Sequence, residues 1–301
     1  MKYEIARDLP TITVDGATLY RIRALRDIGG SVKAGDIGGY VESETNLSHN
    51  FESWIYDDAR VFGDGRVYGR GSAKNESQVF GSAQVFGSAQ IYGSAQIYGS
   101  AQIHGAAQIY GSAQIHGAAR VRGSTRVFGA AQVFDDAALE WAAQVYGSAR
   151  IEGKASIAGH AEISGDALVA ESARVCGMAT VSGSANVVGA AKILGHSTIL
   201  GDATISGNAT ISGNARVGGG SIHSGTHDTR DAVTLFGWCD GHGRIICQVN
   251  GVSYIGAGCR WFTLADARAH WGKYPDGERD IALCLLEGAA AIARQRGWSE
   301  C

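Results

Sequence analysis

The sequence predicts a mainly-β protein: a parallel β-helix of six-residue repeats, with an N-terminal β cap and a small C-terminal α+β domain. Three observations predict it. A period of six runs without insertion from Ile55 to Val217. Glycine makes up 44 of 301 residues, about twice the usual share, with no Gly-X-Y pattern. The period then stops after Ser221, and a different pattern of apolar residues begins. The expected layout is a cap over 1–46, a β-helix over 47–222, a polar linker over 223–232 and the α+β domain over 233–301.

Each position of the repeat has a physical cause. Counting from residue 55 gives 28 hexads, and the first position is Ile, Val or Leu in 27 of them, Ala73 being the exception. The fifth position is Ala, Gly, Ser or Thr in all 28. Side chains alternate faces along a strand, so in a run such as Ala89-Gln90-Ile91-Tyr92 the Ala and Ile point inward. A large branched residue beside a small one fills a tapering corner without overpacking. The third position is Gly in 23 hexads, and a corner that needs positive φ favours Gly, then Asp and Asn. Asp57, Asn75 and Asp135 fit that rule, whereas Trp141 and Glu171 break it and predict distorted corners. Three strands close a coil of 18 residues, which gives roughly nine coils stacked at about 4.8 Å, on the order of 45 Å in all. A helical alternative fails, because a period of six does not match 3.6 and each interior Gly costs about 1 kcal/mol in a helix.

The first 46 residues cover one open end, as a solenoid requires. Thr11 to Val14, Asp15-Gly16 and Ala17 to Leu25 predict a hairpin with an Asp-Gly turn. Leu19, Ile22 and Leu25 are its expected packing residues. At the other end, Ser224 to Ala232 is polar. Beyond it, Val233 to Cys239, Arg244 to Val249 and Val252 to Ala257 predict three strands, the last two joined by Asn250-Gly251. Thr263-Leu264-Ala265-Asp266 opens a short helix through a capping-box variant, and Ile281 to Arg296 predicts a longer one.

The pattern [Ile/Val/Leu]-x-Gly-x-Ala-x resembles the hexapeptide-repeat superfamily. That resemblance implies a left-handed coil, whereas the general crossover rule favours right-handed connections. A narrower resemblance lies in Val32-Lys33-Ala34-Gly35-Asp36-Ile37-Gly38-Gly39-Tyr40-Val41-Glu42, Asn46-Leu47-Ser48 and Trp54-Ile55-Tyr56-Asp57-Asp58-Ala59-Arg60-Val61. These segments look like a bacterial and phage-encoded hexapeptide-repeat family that carries the label acyltransferase without a well-established activity. The stretch around Gly258-Cys259-Arg260-Trp261-Phe262-Thr263-Leu264 is similar to a terminal domain of some phage-encoded relatives.

The charge balance argues against some partners. Net charge is −3, with charged residues at 18%, which leaves no electrostatic footprint for nucleic acid. No apolar run has the length of a membrane span, and the first eight residues lack the apolar core of a signal peptide. The six scattered cysteines read as free thiols, so a cytoplasmic location is expected.

Two functional classes follow. The outward second position is aromatic at Tyr56, Phe62, Tyr68, Phe80, Phe86, Tyr92, Tyr98, Tyr110, Phe128, Phe134 and Tyr146, and afterwards Ser, Ala, Cys, Val, Leu, Glu or Gly. Sorted by 18, these residues and His116 fall into ladders. One function is stacking that stabilises the coils. The other is an aromatic strip that docks a protein partner or another copy, with Tyr92, Tyr98, Tyr110, Phe128, Phe134 and Tyr146 as contact residues. The expected function is therefore a non-catalytic structural or binding scaffold, phage-encoded by resemblance, that acts by protein contact or by self-assembly and needs no cofactor. A trimer is the assembly the superfamily implies.

The alternative is a CoA-dependent acyltransferase. The resemblance implies a histidine as general base and acetyl-CoA as donor. His104, His116, His160 and His196 lie in the repeats, and His160 or His196 is the expected base. Those two fall on one corner, two coils or roughly 10 Å apart with Met178 between, too far to share a metal. Acyltransferases of the superfamily extrude a loop to build the acceptor pocket, and no insertion interrupts the 28 hexads. Cys239, His242, Cys247 and Cys259 do not have the spacing of a zinc finger or ribbon, so no metal is expected. Thr198, Thr204 and Thr210 fall on three different faces and make no flat array.

Overall fold

The computed structural model describes residues 1–222, 226–229, 238–239, 242–249, 252–257, 260–273, 283, 286–291 and 294. The chain forms two compact units, Met1–Gly159 and His160–Cys301. Both are built on the predicted parallel β-solenoid.

In the first unit, two-residue strands recur every six residues and pair in parallel with the strand 18 residues on. Gln96–Ile97 pairs with Gln114–Ile115, Gln84–Val85 with Gln102–Ile103, and Gln90–Ile91 with Gln108–Ile109. Three sheets result, one per side of the coil. The inward residues, from Ile55 and Ala59 through Ala155 and Ile157, are fully buried, as the large–small alternation requires. The backbone amides between strands continue the ladder through the corners, for example Ser88 N to Gly105 O at 2.6 Å.

The corners settle one expectation differently. Asp57, Asn75, Asp135, Trp141 and Glu171 all adopt φ between 51° and 65°, in line with the glycine corners. Trp141 and Glu171 are therefore not distorted. The stacked coils dictate the left-handed backbone, and the side chain bears the strain. At Gly105 (φ 76°) an added Cβ would lie 2.8 Å from the backbone of Gly123, so the close stacking also favours glycine.

The cap contains more structure than the hairpin. β1 (Tyr3–Ile5) pairs antiparallel with β3 (Ala17–Ala24), and β2 (Ile12–Val14) pairs with β3 through the Asp15-Gly16 turn. β4 (Ile37–Val41) pairs antiparallel with β3 on one edge and in parallel with Arg60–Val61 on the other. β4 thus converts an antiparallel cap into the first rung of the solenoid, upstream of the strict six-residue register. Leu19 and Ile22 are buried, but Leu25 is exposed. Ile22 and Ala24 take the inward positions, so alternation along the chain turns Leu25 outward.

The segments that carry the narrower resemblance have structural roles. A Cβ at Gly38 or Gly39 would lie 2.5–2.6 Å from the carbonyls of Ile55 and Ala59, so only glycine lets β4 approach the coil. Asn46 is buried; its Nδ2 donates to Gly63 O and Gly65 O, both at 2.9 Å, and its Oδ1 accepts from Ser43 N at 2.8 Å. Tyr3 donates to Leu47 O at 2.9 Å and stacks on His49 at 4.4 Å. Beside it, fully buried Lys2 donates to Ser53 O and Ser53 Oγ at 2.6 and 3.0 Å.

The second unit is built of the same kind of coil, with rungs at Glu162–Ile163, Leu168–Val169 and Arg174–Val175 and on to Arg216–Val217. The register then tightens: Ser221–Ile222 pairs with Thr204–Ile205, one residue short of 18. Thr226–Thr229, predicted as polar linker, forms a further parallel rung on Thr210–Gly213. The backbone edge of the last coil takes a partner whatever its side chains, which the polarity of this segment hid.

Among the described residues of the C-terminal part are four antiparallel strands, Trp238–Cys239, His242–Val249, Val252–Ala257 and Arg260–Thr263, of which the last was not predicted. Residues 233–237 and the Asn250-Gly251 turn lie outside the described residues. Helix α1 (Leu264–Trp271) follows, with Asp266 N donating to Thr263 Oγ1 at 3.1 Å as the capping pattern predicts. Residues 286–291 are helical, within the predicted longer helix. Ile255, Leu264, Ala267, Trp271, Leu286, Ala289 and Ala290 form a small core of their own.

Candidate functional site

The second position of each hexad follows the strand and shares its outer face with the Gln or Arg two residues before it. Because every coil repeats the backbone of the last, rings at this position stack at a spacing set by the sheet. In the first stack, Phe62, Phe80, Tyr98, His116 and Phe134 follow one another at 4.7–5.0 Å, with planes within 10° of parallel. In the second, Tyr68, Phe86 and His104 are 4.8 Å apart. In the third, Tyr92, Tyr110, Phe128 and Tyr146 are also 4.8 Å apart.

Cations and ion pairs extend these stacks. Lys74 Nζ lies 4.7 Å from the Tyr56 ring, and the Arg150 guanidinium 5.5 Å from Phe134. Arg122 and Glu140 form an ion pair at 2.5 Å beyond His104. Burial in the stacks holds the His104 and His116 imidazoles below the usual histidine range, with the Arg122 charge adding to the effect at His104.

The structure therefore brings the predicted contact residues together in two of the three stacks: Tyr98 and Phe134 in one, Tyr92, Tyr110, Phe128 and Tyr146 in the other. Their faces pack on each other, and each ring is half-buried. All three stacks lie in the first unit. In the second unit the same register carries Ser164, Ala170, Cys176, Ser182, Val188, Leu194 and Leu200 at the ring position.

One residue of this surface was missed by ring-position arithmetic. Trp141 stands at a corner with φ 65° and is 71% exposed. Phe51, with φ 59° and 73% exposed, lies on the same corner, because 51, 69, 87, 105, 123 and 141 differ by 18. The signal available in the sequence was a bulky aromatic where glycine is the rule.

His160, Met178 and His196 occupy one corner on successive coils of the second unit, as His160 N donates to Gly177 O and Met178 N to Gly195 O. Both imidazoles are exposed, and neither makes a hydrogen bond among the described residues. Cys176 is a half-buried free thiol. The side chains of Cys239, His242, Cys247, Cys259, Cys284 and Cys301 lie outside the described residues. No group of three or more His, Cys, Asp or Glu that could hold a metal occurs among the described residues. No helix among them is long and apolar enough to cross a membrane.

These features define a hexapeptide-repeat parallel β-solenoid with aromatic ladders on one unit. Within it, residues 203–219 match the family model described as YdcK Beta solenoid repeat. That match covers about one coil, and it concerns the solenoid alone. Comparison with curated proteins finds no match.

Proposed function

We propose that the protein is a non-catalytic scaffold that acts through protein contacts along the aromatic half of the solenoid, with a second copy of the chain as the first partner to test. One observation carries this reading. The same coil is built with aromatic ladders in the first unit and without them in the second. The coil does not require the rings, so their concentration on one unit favours a surface role. Trp141 supports it: a left-handed non-glycine residue costs about 1–2 kcal/mol, and here that cost is borne by an exposed indole.

The test is the assembly state of Tyr92→Ser/Tyr110→Ser/Phe128→Ser by sedimentation, with partner capture measured alongside. Weakened self-association or capture, with far-UV circular dichroism unchanged, is the expected outcome. Unchanged assembly and capture in the triple variant would reject the docking role. Trp141→Gly is expected to raise stability by about 1 kcal/mol by relieving the corner, while weakening the same association. A urea midpoint that falls in this variant would mean the indole is structural.

An acyltransferase would need His160 or His196 as base, and a pocket supplied by subunit contacts. Calorimetric titration with acetyl-CoA and CoA separates the two functions. No heat at millimolar ligand is expected, and micromolar saturable binding lost in His160→Ala or His196→Ala would overturn the scaffold reading.

A further inference from the structure

The three ring stacks end differently toward the cap. Above Phe62 the ring position of the preceding rung is held by Glu42, whose amide donates to Val61 O and whose carboxylate accepts from Gly63 N at 2.7 Å; Phe62 is only 6% exposed. Above Tyr92 stands Lys74, itself lying over Tyr56. Those two heads are closed by charged side chains. The head of the middle stack is not. Leu47 bridges to Val67 and Ser48 N donates to Val67 O at 3.0 Å, so Ser48 holds the ring position above Tyr68. A hydroxymethyl group stands where the neighbouring coils carry a ring.

The space this leaves is a cleft of about 390 Å³ lined by Thr45, Ser48, Arg66, Val67, Tyr68 and Gln84. That size lies in the range of small-molecule sites. Its floor is rigid, because the Tyr68 hydroxyl donates to Gln84 Oε1 at 3.0 Å and the lower ring face rests on Phe86. Arg66 is exposed at its wall and makes no ion pair among the described residues. Thr45 and Ser48 add hydroxyls.

We propose that this cleft binds a small planar aromatic anion, such as an aromatic carboxylate, whose ring continues the Tyr68–Phe86–His104 stack. The ring stacks on the open face of Tyr68 at the spacing of the rings below it, a geometry that aromatic pairs favour in offset form. The anion pairs with the planar Arg66 guanidinium, which matches a carboxylate in two-point geometry. The cleft is independent of protein docking along the ladders, so either idea can fail alone.

The test uses the full chain and three probes followed by NMR and calorimetry. They are 2-naphthoate, cyclohexanecarboxylate with the same charge but no aromatic ring, and 2-naphthylmethanol with the ring but no charge. Saturable binding of 2-naphthoate is expected, at least tenfold tighter than either control. Ser48→Tyr should abolish it by supplying the missing ring from the chain itself, with the fold intact. Arg66→Gln should weaken it tenfold while leaving 2-naphthylmethanol unaffected. Equal affinity for the two carboxylates, no binding of 2-naphthoate at millimolar concentration, or unchanged binding in a folded Ser48→Tyr variant would each overturn the proposal.

Discussion

Gly39→Val is expected to undo the junction between cap and solenoid and to lower stability by at least about 3 kcal/mol. An added Cβ at Gly39 would lie 2.5 Å from both Ala59 O and Ile55 Cγ2. One of those atoms is backbone in the ladder and the other a fully buried branch, so neither can yield. Because each coil interacts chiefly with its neighbours, the damage should be local. Hydrogen exchange should show lost protection at Tyr40, Trp54, Tyr56 and Arg60, with Gln108 and Tyr110 still protected. Gly16→Ala is the contrast: φ is 83° but nothing lies within 4 Å, so a cost of about 1 kcal/mol is expected. Equal protection in wild type and Gly39→Val would show that the close approach at β4 does not hold the cap.

The second large effect is electrostatic. Lys2 is fully buried, and its ammonium donates to the carbonyl and hydroxyl of Ser53, with no carboxylate paired to it among the described residues. Burial, and after it the Arg26 charge, lowers its pKa from 10.5 to about 8. Between those values the folded chain has released the proton while the unfolded chain still binds it. Stability must therefore rise with pH from about 8 to 10.5, by on the order of 3 kcal/mol across that window. Tyr3 acts in the opposite sense. Burial, then the Glu44 charge, raises its pKa above 10, so its contribution is full below pH 10 and declines above as the unfolded phenol ionises. Stability should thus be greatest near pH 10. Lys2→Met should flatten the rise and add about 1–4 kcal/mol at pH 7, since an uncompensated buried charge is replaced by an apolar chain of similar length. Urea unfolding of both proteins at pH 7, 8, 9 and 10 measures this, and a flat wild-type profile would show that Lys2 is solvated.

The ladders were legible because a period of 18 places residues on one line before any coordinate exists. Tyr92, Tyr110, Phe128 and Tyr146 stack as that arithmetic requires. It could not say how much of each ring remains accessible, because that depends on the rings' tilt and mutual cover. Nor could it find the cleft at Tyr68. Ser48 lies ahead of the strict register: Leu47 pairs with Val67 at a separation of 20 rather than 18.

By itself the sequence determined the solenoid, its register and its glycine corners. Each follows from a local rule repeated many times: alternating faces, large beside small inside, and positive φ at the turn. Tertiary structure alone decided the ends and the exceptions. Whether Thr226–Thr229 pairs, which side Leu25 faces and how Trp141 holds its corner all depend on backbone edges and neighbouring coils. Lys2 and Tyr3 are buried against Leu47, His49 and Ser53, and no local pattern in Met1-Lys2-Tyr3-Glu4-Ile5 foretells those partners. A repeat encodes its own continuation, whereas an end depends on whatever chain covers it.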